Sequence, residues 1–101
     1  MQSFRQAIQD RIVLFDGAIG TEIYRRGVFI NQSYDGINLT GPDLVKTIHQ
    51  EYAAAGAEVL TTNTFGANRF RLLPHGLQGQ IAEINQEGVR LAREAAGDTR
   101  W

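Results

Sequence analysis

The chain contains no cysteine. Disulfides and thiolate metal sites are therefore excluded within these residues. Long apolar runs are also missing. Met1-Gln2-Ser3-Phe4-Arg5 has none behind it, so neither a secretory signal nor a membrane span is expected, and a cytoplasmic protein is the default. Charge of one sign is lacking too: ten basic and eleven acidic side chains leave a net charge of -1. The nearest approach to a like-charge run is Arg25-Arg26, with Arg69 and Arg71 further on. Strong attraction to nucleic acid or to an anionic membrane is thus not indicated, and these arginines read as solvated surface. No low-complexity tract is present, nor any repeat shorter than a strand–helix unit.

What is present is the composition of an ordinary globular protein, with 43% hydrophobic and 21% charged residues. At 101 residues there is material for one small domain and no more. Ser3 to Gln9 reads as a short helix, with Phe4 and Ile8 on one face. Ile12-Val13-Leu14-Phe15 is a continuous apolar run that suits a strand buried on both faces. It ends at Asp16-Gly17-Ala18-Ile19-Gly20-Thr21, where two glycines permit a tight turn. Thr21 to Arg26 reads as a short helix stopped by Gly27, and Val28 to Leu39 as a loop rich in turn formers.

Thr40-Gly41-Pro42-Asp43 predicts a helix start, with Thr40 as cap and Asp43 in the acidic position of a capping box. Leu44, Val45, Ile48, Tyr52 and Ala55 then line one helical stripe up to Gly56. Glu58 to Thr62 reads as a second strand, and Thr62-Asn63-Thr64-Phe65-Gly66 as its polar exit. Phe70 to Gln80, interrupted by Pro74 and Gly76, connects to a last helix marked by Ile81, Ile84, Gly88, Leu91 and Ala95 and ended by Gly97.

This alternation predicts an α/β fold with a parallel sheet. Two parallel strands and their helices cannot cover both faces of such a sheet. A third strand is expected to begin about Trp101. The chain therefore reads as the opening of a larger domain, and a full barrel of this type needs roughly 250 residues.

Ligands of parallel α/β folds sit at the carboxyl ends of the strands. Asp16 is suited to an ammonium group, and the Gly17 to Thr21 amides to a carboxylate, helped by the helix that follows. A free amino acid carries both groups. The plainer reading is that Asp16 caps a turn that the glycines only shape. Thr62, Asn63 and Thr64 offer neutral hydrogen-bond partners or, more plainly, a self-satisfied polar turn. His49 has no metal set at helical spacing and reads as a structural or surface histidine. His75 sits beside Pro74 in a loop without a visible partner. Tyr52, Phe65 and Phe70 read as core or pocket wall.

The segment from Val13 to Glu22 resembles the opening strand and loop of homocysteine S-methyltransferases. So do Asn38-Leu39-Thr40-Gly41-Pro42-Asp43-Leu44-Val45, Ile48-His49-Gln50-Glu51-Tyr52 and Ala55-Gly56-Ala57. Thr61 to Asn68, then Ile84-Asn85 with Gly88-Val89-Arg90-Leu91-Ala92, continue the resemblance in register from about Arg11 to Ala96. It is similar above all to the homocysteine domain of cobalamin-dependent methionine synthases and of the bacterial proteins that fuse it to a methylenetetrahydrofolate reductase.

The resemblance implies that residues 1–101 are the incomplete N-terminal portion, about two βα units, of a (β/α)₈ TIM barrel. It implies methyl transfer to the sulfur of homocysteine, giving methionine. The methyl donor would be methylcobalamin, a methyl-folate or S-methylmethionine. It also implies zinc, held by cysteines of later strands that this chain does not contain, so that the segment alone would be inactive. Asp16 would meet the homocysteine ammonium, and Gly17, Ala18, Gly20 and Thr21 the carboxylate. Asn63 would lie at the pocket floor.

Two other readings stand beside it. A haloacid-dehalogenase-type phosphatase would place a second Asp where Ala18 stands and a Thr where Gly20 stands. A small amino-acid-binding or interaction module would need no further strands. Cysteines in a continuation beyond Trp101, one and then a later pair, would favour the methyltransferase. The open sheet edges of such a segment invite pairing with another copy.

Overall fold

The computed structural model describes residues 1–101 throughout. Helix α1 (Phe4–Asp10) opens with a capping box in which Ser3 and Gln6 satisfy each other's backbone N–H. Helix α2 (Gly20–Arg25) is followed by Gly27 at φ +98°, where a side chain would be strained. Helices α3 (Ile37–Thr40) and α4 (Pro42–Ala54) are separated only by Gly41. Helix α5 (Arg69–Leu72) leads through short 3₁₀ turns at Leu73–His75 and Gln78–Gln80 into α6 (Ile81–Ala96).

The two expected strands are not realised as strands. A single parallel bridge joins Phe15 to Val59. Leu14 O accepts from Val59 N–H at 3.2 Å and Val59 O from Asp16 N–H at 3.0 Å. On the other side of Val59, Trp101 N–H donates to Glu58 O at 3.0 Å and Leu60 N–H donates to Trp101 O at 2.8 Å. Val59 is thus bracketed in parallel by Phe15 and Trp101. The pairing is that of a three-stranded parallel sheet reduced to one residue per strand.

From α1, the Phe4 ring meets Phe15 edge-on at 6.0 Å and Trp101 at 5.8 Å, while about half of Phe15 stays exposed. Leu60, one residue out of phase with Val59, packs instead with Ala57 and Ala96 on the helix side. The main core lies between α2, α3, α4 and α6, from Ile23, Ile37, Val45, Ile48 and Leu91. Full burial of each such side chain is worth roughly 1.5–3 kcal/mol.

Three further readings are corrected. Thr40 does not cap α4: it is the last residue of α3, and its hydroxyl donates back to Gly36 O. Gly41 is the cap residue, with Pro42 at the start and Asp43 in the first turn, as its missing N–H and negative charge favour. The loop expected over 28–39 contains α3, and the buried stripe of α4 runs through Ala53 while Ala55 is exposed. No helix is long and apolar enough to cross a membrane.

Candidate functional site

The loops that leave Phe15 and Val59 meet at one end of the bridge. Asp16 follows Phe15 directly and is half-buried. Its two carboxylate oxygens are held by one residue of the other loop. Thr61 N–H donates to Oδ2 at 2.8 Å, and the Thr61 hydroxyl donates to Oδ1 at 2.9 Å. Both donors are neutral, and Asp16 makes no ion pair.

Four glutamates are treated differently. Glu22 is held below its ordinary pKa by Arg25, Glu58 by Arg11, Glu87 by Arg90 and Glu94 by Lys46. These pairs lie at the surface. Asp16 therefore keeps a charge that no cation of the chain offsets.

The Gly17–Thr21 loop is shaped from α4. The Tyr52 hydroxyl donates to Ala18 O at 2.7 Å. A Cβ on Gly17 would lie 3.0 Å from that hydroxyl oxygen, so the backbone passes where only glycine fits without movement. Burial raises the Tyr52 phenol pKa, so the hydroxyl stays a donor at neutral pH. Helix α2 begins without a side-chain cap, and its Ile19 N-cap accepts from Ile23 N–H. The N–H groups of Gly17, Ala18, Ile19, Gly20 and Thr21 donate to no group of the chain. Five successive free amides thus stand beside one unpaired carboxylate. Gly17, Ala18 and Thr21 are exposed, and Gly20 is half-buried.

Asn63 lies deeper, at 4% exposure. Its Nδ2 donates to Tyr34 O at 2.9 Å and to Asn38 Oδ1 at 3.0 Å. That amide nitrogen is committed to the fold, and its Oδ1 accepts no hydrogen bond from the chain. Asn38, which sequence reasoning did not single out, is fully buried and supports it from below. The neighbouring Thr62 and Thr64 hydroxyls bond each other at 2.6 Å, the self-satisfied turn among the alternatives.

His49 is also fully buried, and neither ring nitrogen has a partner. Burial lowers its pKa, opposed by the charge of Asp16. It is a structural histidine of the α4 stripe. No three His, Asp or Glu side chains gather into a metal set, and cysteine is absent, so these residues do not make a zinc site.

A groove of about 430 Å³ does not include Asp16 in its lining. It runs beside α6 and the free edge of Trp101, lined by Leu60, Thr62, Val89, Ala92 and Ala96 among others.

A parallel strand–helix unit with its polar loops gathered at the carboxyl ends is the arrangement by which α/β proteins hold small polar ligands. The family described as Homocysteine S-methyltransferase matches residues 13–101, and the chain belongs to that family. It is 32% identical over 97 residues to the methionine synthase of Mycobacterium tuberculosis (strain ATCC 25618 / H37Rv), covering 90% of this chain and 8% of that protein. It is 31% identical over 99 residues to the methionine synthase of Mycobacterium leprae (strain TN), covering 92% and 8%. Among solved structures, the metallated form of the homocysteine methyltransferase MmuM from Escherichia coli superposes with a TM-score of 0.78 at 29% identity. That match covers 90% of this chain and 33% of MmuM. The chain thus spans a small part of the relatives it matches.

Proposed function

We propose that these residues form the amino-acid grip of a homocysteine S-methyltransferase, which transfers a methyl group to the homocysteine sulfur and yields methionine. The observation that carries this reading is the unpaired Asp16 carboxylate beside the free amides from Gly17 to Thr21. The ammonium of homocysteine meets Asp16, and its carboxylate meets the Gly17, Ala18, Gly20 and Thr21 backbone. Each Asp16 oxygen spends one acceptor site on Thr61 and keeps another for the ammonium. Asn63 enters as floor, since its Nδ2 already serves Tyr34 and Asn38.

The segment is the first two βα units of a (β/α)₈ barrel, with Trp101 opening the third strand. The groove beside α6 receives the next unit. Zinc ligands lie in polypeptide beyond these residues, so the segment alone is inactive. The methyl donor, whether methylcobalamin, a methyl-folate or S-methylmethionine, is set by parts of the protein outside it. A cytoplasmic setting fits this chemistry. Cut away from its remaining units, the segment self-associates through its open edges, where Ile12 and Phe15 stand exposed.

The test is kinetic. In the complete polypeptide, Asp16→Ala raises the KM for homocysteine by about tenfold or more, as expected for loss of a charged contact. An unchanged dependence on homocysteine concentration removes Asp16 from the grip.

A further inference from the structure

We propose that Thr61 is a positioning residue for the substrate's ammonium group, acting through Asp16; this rests on the reading of Asp16 given above. A carboxylate at a strand exit turns about two side-chain bonds, and holding one rotamer costs conformational entropy. Thr61 removes that freedom from across the gap. It holds Oδ2 through its N–H at 2.8 Å and Oδ1 through its hydroxyl at 2.9 Å. Two bonds to two oxygens fix the plane of the carboxylate as well as its direction. The clamp also joins loops 45 residues apart in sequence.

The choice of donor carries the inference. An arginine would hold a carboxylate in the same bidentate way and would also offset its charge. Arg25 holds Glu22 in this manner, and Glu58, Glu87 and Glu94 are likewise met by cations. Thr61 orients Asp16 with neutral donors, so the full negative charge remains for an incoming cation. The Thr61 side chain lies at the exposed mouth, where it contributes little to the core. A residue that serves only the fold would not need to hold both oxygens of a charge left unpaired.

The experiment compares Thr61→Val, Thr61→Ala and Thr61→Ser in the polypeptide that carries the complete methyltransferase, with Asp16→Asn as reference. The substrates are homocysteine and 4-mercaptobutanoate, which keeps the thiol and the carboxylate but has no ammonium. Thr61→Val and Thr61→Ala are expected to raise the KM for homocysteine about tenfold with kcat held within about twofold. Thr61→Ser, which keeps the hydroxyl, restores the parent value. None of the three changes the kinetics with 4-mercaptobutanoate. If Thr61→Val lowers the melting temperature while KM stays put, or both substrates suffer alike, the clamp serves only the fold and the proposal is overturned. The Asp16→Asn arm separates the two levels. If it raises KM and the Thr61 variants do not, only the positioning role fails. If it leaves KM unchanged, the grip itself fails.

Discussion

Asn63 and Asn38 hold each other inside the protein, side chain to side chain and side chain to backbone. Asn63 Nδ2 donates to Asn38 Oδ1 at 3.0 Å, and Asn38 Nδ2 donates back to Asn63 O at 2.9 Å. The same Asn38 nitrogen also donates to Ile84 O at 3.1 Å. One fully buried amide therefore pins the loop after Val59 to both α3 and α6.

Replacing Asn38 by leucine keeps the branching at Cγ and strips every one of these bonds. Asn63 Nδ2 loses one acceptor and the Asn63 carbonyl its side-chain donor, both in the interior. The expected loss of stability is about 2–3 kcal/mol, from buried groups left without partners. Urea unfolding should show the midpoint falling at constant slope. A loss below about 0.5 kcal/mol would mean that water replaces the amide at no cost.

Gly88 offers a prediction of sign. A glycine inside a helix is ordinarily worse than alanine by about 1 kcal/mol. Gly88 lies inside α6, so Gly88→Ala would normally stabilise. Here the added Cβ would stand 2.7 Å from Thr64 Cγ2, 2.9 Å from Asn38 Nδ2 and 3.2 Å from Asn63 O. Two of these three neighbours belong to the same buried amide arrangement, which cannot yield without losing bonds. Gly88→Ala is therefore expected to destabilise by about 1–3 kcal/mol, the usual range for overpacking. A higher melting temperature in the variant would refute the close approach of α6 to the Asn63 loop.

The helices were legible because their signals are local. Pro42 and Asp43 mark the start of α4, and the spacing of Val45, Ile48 and Tyr52 shows its inner face. Ile84, Gly88 and Leu91 do the same for α6. The sheet was legible in topology and not in extent. Ile12 to Phe15 has the composition of a doubly covered strand, yet Ile12 is 93% exposed and only Phe15 pairs. A strand of a parallel sheet is made by its neighbours, and Ile12 to Phe15 has one such neighbour, at Val59. The site divides in the same way. Asp16 and the glycine turn stand out locally, whereas Thr61 reaches Asp16 from 45 residues away and Asn38 reaches Asn63 from 25. No spacing rule connects such residues. The unpartnered state of His49 was hidden for the same reason, although its place beside Ile48 on the inner stripe hinted at burial.

Tyr52→Phe deletes one oxygen and leaves the ring that packs over Gly17. The Ala18 carbonyl then loses its only side-chain donor, the bond of 2.7 Å. Stability is expected to fall by about 0.5–1.5 kcal/mol, the worth of one hydrogen bond. If the loop binds the homocysteine carboxylate, the KM for homocysteine rises as well, because the Ala18–Ile19 peptide becomes free to turn. A stability loss with unaltered KM would confine Tyr52 to the fold.

His49 predicts how stability responds to pH. Its imidazole is fully buried, neither nitrogen has a partner, and burial depresses its pKa in the folded state. In the unfolded chain it titrates near the ordinary value of about 6.5. Above that pH both states carry a neutral ring, and the linkage vanishes. Below it the unfolded state takes up a proton that the folded state refuses, so stability falls until the lower folded pKa is passed. Between about pH 7.5 and 5.5 one such group accounts for up to about 1.4 kcal/mol. The paired carboxylates Glu22, Glu58, Glu87 and Glu94 are all shifted downward by their cations, which keeps them out of this window. Urea midpoints measured across the window should therefore decline in the parent protein and stay nearly level in His49→Leu. The leucine variant should match or exceed the parent at pH 7, since it buries no unpartnered nitrogen. Parallel pH profiles for the two proteins would mean that the imidazole is solvated in the folded state, contrary to its position under the α4 stripe.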